Sequence, residues 1–395
     1  MAKRIERKTT LATTITIAVL TLVIGVFVGL NWNSVASKFL PYIGINSKTV
    51  QSIDWSELDE VYNTLTSKYD GAVDKDAAIE GAKKGIAASV GDTYTSYMTA
   101  DEAKDFSKSL HGDVGSGIGV VLAKRDDYVR IVRTLPDNPA SRAGILAGDI
   151  VYKINNEEIY DLDTTAIANL LRGGKGTTVE LSVVRDGEEK TFDLTREEIN
   201  NVSAYVDYQD NAAIIHVTRF DNDTGEIIRD FTKDFKNKNI NKVILDLRDN
   251  GGGYVSAAKD LLGLWIDSKA VLIQKSARLK DETSYADHGK ATLSDMKTIV
   301  LVNGSTASAS EIVAGALQDY GKATIVGETT YGKGVVQALV NLSGGSVLKV
   351  TTAHWYTPNG NTINGTGIKP DQEVKRTYED INKDIDPQLD AALKM

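Results

Sequence analysis

Cysteine is absent from the 395-residue chain, which excludes disulfides, thiolate nucleophiles, Cys-ligated zinc and iron–sulfur clusters. Histidine is nearly so. His111, His216, His288 and His354 lie far apart, and none stands in a local motif for a catalytic triad or a metal pair, so a histidine base is left only to tertiary proximity. Positive charge is in deficit, with 45 Lys plus Arg against 54 Asp plus Glu and a formal charge of -9. That balance would repel a phosphate backbone, so nucleic acid is not expected as a partner. Internal repeats and low-complexity stretches are also lacking. What remains is ordinary globular usage, 42% hydrophobic and 25% charged, which excludes wholesale disorder and a polytopic membrane protein. The length suggests two or three domains.

The first forty residues differ from the rest. Lys3, Arg4, Arg7 and Lys8 precede a run without charge from Thr9 to Ser37. Residues 11–30 supply twenty positions, which as a helix match a hydrocarbon core of about 30 Å. The expectation is a cytoplasmic basic segment over 1–10, a single transmembrane helix over 11–30, and everything beyond Lys38 outside the cell membrane. A cleaved signal peptide is the alternative, since Ser34 and Ala36 form a small-x-small site.

Beyond this segment the texture changes twice. Residues 48–112 read as helical, with Ile53, Leu58, Val61, Tyr62 and Leu65 at spacings of three and four. Residues 113–197 hold short β runs, a two-residue hairpin signal at Asp186-Gly187 and a helix placed at Asp163–Leu171. From 198 to 377, apolar runs such as Val243–Leu247, Ile299–Val302 and Val335–Val340 alternate with helical stretches, and residues 378–395 read as a helical tail. The expected fold class is multidomain α+β and α/β, with a β-rich module preceding a larger α/β core.

Chemistry concentrates in the larger part. Ser305-Thr-Ala-Ser-Ala-Ser310 follows one strand and precedes a helix, where free backbone N–H groups and the helix dipole favour a developing oxyanion. Ser308-x-x-Glu311 is equally a capping box. With no histidine placed for the task, a lysine can serve as base if burial disfavours its charged form. Lys333 sits between Gly332 and Gly334, where the backbone can pack closely around its stem. Gln337 follows at an even offset, on the same face of a strand, where an amide could orient the amine. Gly327-x-x-x-x-Gly332-Lys333 mimics a phosphate loop, but Gly334 replaces the required Ser or Thr and a β run follows instead of a helix.

Two glycine clusters complete the inventory. Asp249-Asn-Gly-Gly-Gly253 follows a strand and offers backbone amides, either as an ordinary turn or as the second donor of an oxyanion hole. Gly115-Ser-Gly-Ile-Gly119 leads into an apolar strand, where exposed amides can take a peptide carboxylate while the strand edge pairs with the peptide backbone.

Together these segments resemble the carboxyl-terminal processing, or tail-specific, proteases from about Ser52 to Leu393. The likeness rests on Ala143-Gly-Ile-x-x-Gly-Asp-Ile150, similar to a PDZ signature, on Asn303–Asp319, and on Gly327-Glu-x-x-Tyr-Gly-Lys-Gly-x-Val-Gln337. Asp92–Tyr97, Tyr356–Gly360 and Gly367–Asp371 also match. The offsets of 25 residues from Ser308 to Lys333 and four from Lys333 to Gln337 fit the family spacing and select Ser308 among its hydroxyl neighbours. The resemblance implies a membrane-anchored serine endopeptidase that needs no metal or cofactor. Its dyad would be Ser308 and Lys333, with Gln337 positioning the lysine. Ala309 with Gly252 or Gly253 would supply the oxyanion amides. It further implies that a PDZ domain captures a substrate's free C-terminus through Gly117, Ile118, Gly119 and Val120, that Arg172 couples this domain to the core, and that a gate stays closed until peptide binds. It leaves room for a homo-oligomer. Two departures stand out: the family's proline in the glycine loop is lost at Gly251, and Thr306 takes a position usually held by a small residue. The rival expectation is a tethered PDZ scaffold without activity.

Overall fold

The structure, a computed structural model, describes residues 54–125, 127–287, 290–383 and 385–395. The chain divides into residues 1–78 and 79–395. Within the first unit, the helix Ser56–Lys68 carries Leu58, Val61 and Leu65 at the expected spacing, and the Asp54 carboxylate accepts from the Ser56 N–H at its start (3.0 Å).

The expected fold class is corrected in one respect. Among the described residues no helix is long and apolar enough to cross a membrane. The longest, Lys75–Ala88, has 14 residues and spans about 21 Å, short of a hydrocarbon core of about 30 Å. The single N-terminal transmembrane helix is therefore not supported as part of the described fold, and neither is a membrane anchor. Residues 11–30, on which that helix was placed, lie outside the described residues. What the described residues form is a small antiparallel β module beside a mixed α/β core.

The β module has strand order 120–125, 128–134, 150–154, 178–185 and 188–195, antiparallel throughout. Val120–Arg125 is left at the edge. Asp186 and Gly187 both take positive φ (53° and 81°), the requirement of a type I′ hairpin whose twist suits the flanking strands. The Asp163 carboxylate accepts from the Ala166 N–H (2.8 Å), capping the helix Thr164–Leu171. Ile118, Ile131, Ile145, Ile167 and Leu181 fill the interior. Asp149, nearly inaccessible, is held by a two-pronged pair with Arg185 at 2.7 Å.

The core is a six-stranded sheet in the order 204–209, 212–217, 242–246, 297–302, 324–327 and 372–373. Only the first pair is antiparallel. Its central strands are covered on both faces, which is why Val243–Leu245 and Ile299–Val302 read as unbroken apolar runs. The C-terminal helix Pro387–Lys394 covers part of one face, burying Ala392 against Ile244, Ile299 and Leu301. A second antiparallel sheet contains the hairpin Val335–Asn341 and Val347–Tyr356.

Candidate active site

Ligand sites in open parallel sheets lie beyond the carboxyl ends of the strands, and the hydroxyl and glycine segments meet there. Strands Lys242–Asp246 and Lys297–Val302 are neighbours, so the loop after one touches the turn after the other. Asn250 fastens them: its carbonyl accepts from the Ala307 N–H and from Ser310 Oγ, both at 3.0 Å. Thr306 is buried and donates from Oγ1 to the Leu247 carbonyl (2.8 Å) while accepting from the Asn303 N–H (3.0 Å). The hydroxyl at this position thus joins the two loops, which a small side chain without one would not do. Arg248 roots the glycine loop, pairing with Asp246 (2.7 Å) and Asp386 (2.8 Å). Burial of the guanidinium is outweighed by these carboxylates, which hold its charge firmly in place.

Ser308 begins the helix Ala309–Asp319 with φ 57° and ψ -117°, a region that costs a non-glycine residue about 1–3 kcal/mol. The expected capping box is carried by the Glu311 side. Its carboxylate accepts from the Ser308 N–H (2.8 Å), whereas the Glu311 N–H donates to the Ser308 carbonyl (2.9 Å). Fully buried, Glu311 also accepts from the Thr330 hydroxyl (2.6 Å), the Gly332 N–H (2.7 Å) and the Lys333 N–H (2.9 Å). One carboxylate therefore fixes the backbone of Ser308 and of Lys333 together. The sequence marked Glu311 only as a cap, because nothing local shows a partner twenty residues away.

Ser308, Lys333 and Gln337 line one cavity with Gly253, Tyr254 and Ile312. Lys333 is half-buried, and burial lowers its amine below the ordinary 10.5; the Lys349 charge adds to this and Glu311 opposes it. Its Nζ lies over the Tyr94 ring, 5.6 Å from the centroid, and the Trp355 indole donates to its carbonyl (3.0 Å). A Cβ on Gly332 or Gly334 would fall within 2.8 Å of backbone in the segment 364–367, so the close packing expected of these glycines is present. None of His111, His216 and His354 lines the cavity; His288 lies outside the described residues. His216 sits instead between Asp207 and Asp246, 3.3 Å from each. Burial alone would lower it, but the two carboxylates push it up to about 9.

Gln337 takes a different partner from the one its offset suggested. Its amide donates to the Tyr94 carbonyl at 2.5 Å. The strand starts only at Val335, and the register slips between Val336 and Gln337, so simple alternation from Lys333 does not apply. Gln337 thereby holds Tyr94, over which the lysine amine lies.

The glycine pair is separated by one hydrogen bond. The Gly252 N–H donates to Asn250 Oδ1 (2.9 Å), while Gly253 lines the cavity. At Gly253 (φ 148°) a Cβ would fall 2.1 Å from the Phe220 carbonyl oxygen, so no side chain fits. Among the described residues the structure holds no group of His, Asp or Glu arranged for a metal.

In the β module the carbonyls of Ile118 and Gly119 accept from Ala140 N–H and Leu135 N–H, both at 2.9 Å. In a trans peptide the N–H opposes the C=O, so the amides of Gly119 and Val120 face away, into a groove bordered by Gly117, Leu171 and Arg172. Arg172 is exposed and donates to Asn169 Oδ1 (3.2 Å).

Comparison with known proteins agrees with this layout. The profile of peptidase family S41 matches residues 211–374, that of the PDZ domain residues 116–195, and that of the activating protease CtpB N-terminal domain residues 20–102. A probable CtpA-like serine protease of Staphylococcus epidermidis is 33% identical over 342 residues, 86% of this chain and 69% of the relative. One from Staphylococcus aureus is 33% identical over 366 residues, 91% and 74% of the two chains. Among solved structures, a photosystem II D1 C-terminal processing protease superposes with TM-score 0.58 at 25% identity, over 82% of this chain and 87% of that one. A putative S41 protease from Bacteroides fragilis shares the fold, with TM-score 0.54 at 18% identity over 82% and 92%.

Proposed function

Since the chain belongs to peptidase family S41 and is a serine-type endopeptidase, we propose that it cuts protein substrates near their C-terminal tails with a Ser308–Lys333 dyad. The observation that carries this reading is the single cavity shared by Ser308, Lys333 and Gln337, in which burial disfavours the lysine charge. The neutral Lys333 amine takes the Ser308 Oγ proton as Oγ bonds to the scissile carbonyl carbon. The oxyanion that forms faces the Ala309 N–H and, with Gly252 already engaged, the Gly253 N–H. The Lys333 ammonium then protonates the departing amine as the C–N bond breaks, leaving an acyl ester on Ser308. Water, deprotonated by Lys333, hydrolyses that ester and restores the dyad. Gln337 acts at one remove, by fixing Tyr94 beneath the amine.

Substrate choice is assigned to the β module. The Gly119 and Val120 amides suit a terminal carboxylate, and the edge strand Val120–Arg125 is open to pairing with an extended tail. The relay of groove occupancy is assigned to Arg172, which borders the groove beside Gly117. Read as a cleaved signal peptide, the basic and then uncharged residues 3–37 support extracytoplasmic substrates.

Two measurements test the reading. A fluorophosphonate probe is expected to label the wild-type chain on the peptide carrying Ser308 and to leave Ser308→Ala unlabelled; labelling that survives in the variant removes Ser308 as nucleophile. A peptide substrate with a free C-terminus is expected to be cut at least about tenfold faster, in kcat/KM, than its C-terminal amide, the loss of one charge-assisted contact. Equal rates would remove the capture role from the groove.

A further inference from the structure

The cavity around Ser308 holds a second amine that the dyad does not use. In the hairpin, Lys349 lies opposite Leu339 and Thr351 opposite Gln337. Opposed residues share a face and residues two apart share a face, so Lys349 projects on the same side as Gln337 and lines the same cavity as Ser308 and Lys333. Its Nζ lies over the Phe106 ring, 5.5 Å from the centroid, as that of Lys333 lies over Tyr94. Among the described residues neither amine forms an ion pair with a carboxylate, whereas other lysines of the second unit, such as Lys83, Lys84 and Lys153, do. The Lys349 charge in the same half-buried cavity therefore adds to the burial that disfavours a charge on Lys333.

We propose that Lys349 is a positioning residue of the reaction, whose fixed cation keeps the neighbouring Lys333 amine in the uncharged form that can accept the Ser308 proton. The groups facing Lys333 set how strongly its charge is opposed. Glu311, on the helix Ala309–Asp319, favours the Lys333 charge but spends both oxygens on backbone and hydroxyl donors. Tyr94, with Tyr331 and Asp92 beside it, offers the amine a ring face and no carboxylate contact. Lys349 opposes the charge outright, and burial acts in the same direction. Only Lys333 has its backbone clamped to the helix that presents Ser308, so the amine that is neutralised is also the one placed for the reaction.

This inference rests on the dyad reading, and the experiment separates the two. The full chain is assayed for kcat and KM from pH 5 to 10 on a peptide with a free C-terminus, as wild type, Lys349→Gln, Lys349→Arg and Lys333→Ala. For Lys349→Gln the acid limb of kcat/KM is expected to move to higher pH, so that activity at pH 7 falls about three- to tenfold and returns to the wild-type plateau at high pH. Lys349→Arg should keep the wild-type limb, because it keeps the charge. An unmoved limb in Lys349→Gln, a loss independent of pH or confined to KM, or an equal shift in Lys349→Arg overturns the role of Lys349, while an inactive Lys333→Ala in the same set leaves the dyad standing. Appreciable turnover by Lys333→Ala overturns the dyad, and this inference with it.

Discussion

Alanine at Ser308 or at Lys333 is expected to lower kcat/KM by about 10⁴-fold, and the double substitution to lower it hardly further. A nucleophile and its base act as a unit, so removing either forfeits the covalent route entirely. At about 1.36 kcal/mol for each tenfold in rate, the loss corresponds to about 5.4 kcal/mol of transition-state stabilisation. The deficit should appear in kcat, since neither side chain lies in the groove proposed for the tail. Binding of a tail peptide, read by calorimetry, should be unchanged in both variants. Folding should be unchanged too. Ser308 carries the clamp through its backbone N–H, which alanine retains, and Lys333 is a desolvated amine whose removal relieves a cost. The wild-type kcat/KM should also rise with pH along a limb below the ordinary lysine value of 10.5, because burial lowers the amine and only its neutral form takes the proton. Single variants whose losses multiply in the double variant would show that the two groups work independently, and the dyad would have to be abandoned.

Much of this site was legible in the chain because its decisive features are local. A hydroxyl at a strand-to-helix turn and a lysine between two glycines are patterns of a few residues, and the backbone geometry they require is written in those residues. The hairpin at Asp186-Gly187 and the buried parallel strands were legible for the same reason. What escaped depends on contacts between distant segments. The choice between Gly252 and Gly253 hangs on where one asparagine side chain points. The partner of Gln337 hangs on a register slip that no pattern of apolar residues announces. Lys349 reaches the site only because a hairpin folds it back beside Gln337. The transmembrane helix is a different case: an uncharged run of sufficient length is a statement about lipid compatibility, residues 11–30 lie outside the described residues, and no described helix is long and apolar enough to span a membrane.

Glu311 shows the same limit with the largest structural consequence. Its carboxylate receives four donors, three of them backbone N–H groups of Ser308, Gly332 and Lys333 and the fourth the Thr330 hydroxyl, and no part of it reaches solvent. Glu311→Ala strands those donors beside a cavity. At about 1–3 kcal/mol for each buried group left unsatisfied, with partial relief from relaxation, the expected destabilisation is at least about 3 kcal/mol. Activity should fall with it, because the Ser308 backbone and the Lys333 backbone are no longer tied to one anchor. Glu311→Gln is the sharper test. Oε1 accepts from Thr330 and Gly332, and Oε2 from Ser308 and Lys333, so the amide NH₂ faces the two backbone donors of Ser308 and Lys333 if turned one way and the Gly332 N–H if turned the other, where the Thr330 hydroxyl can reverse to accept. The side chain still fills its space, so packing is preserved and only acceptor capacity is lost. Its melting temperature should drop by several degrees and its kcat by about a hundredfold, with KM for a tail peptide little changed because the groove lies on another sheet. Wild-type kcat and melting temperature in Glu311→Gln would mean that the segments carrying Ser308 and Lys333 are held in place by something other than this carboxylate.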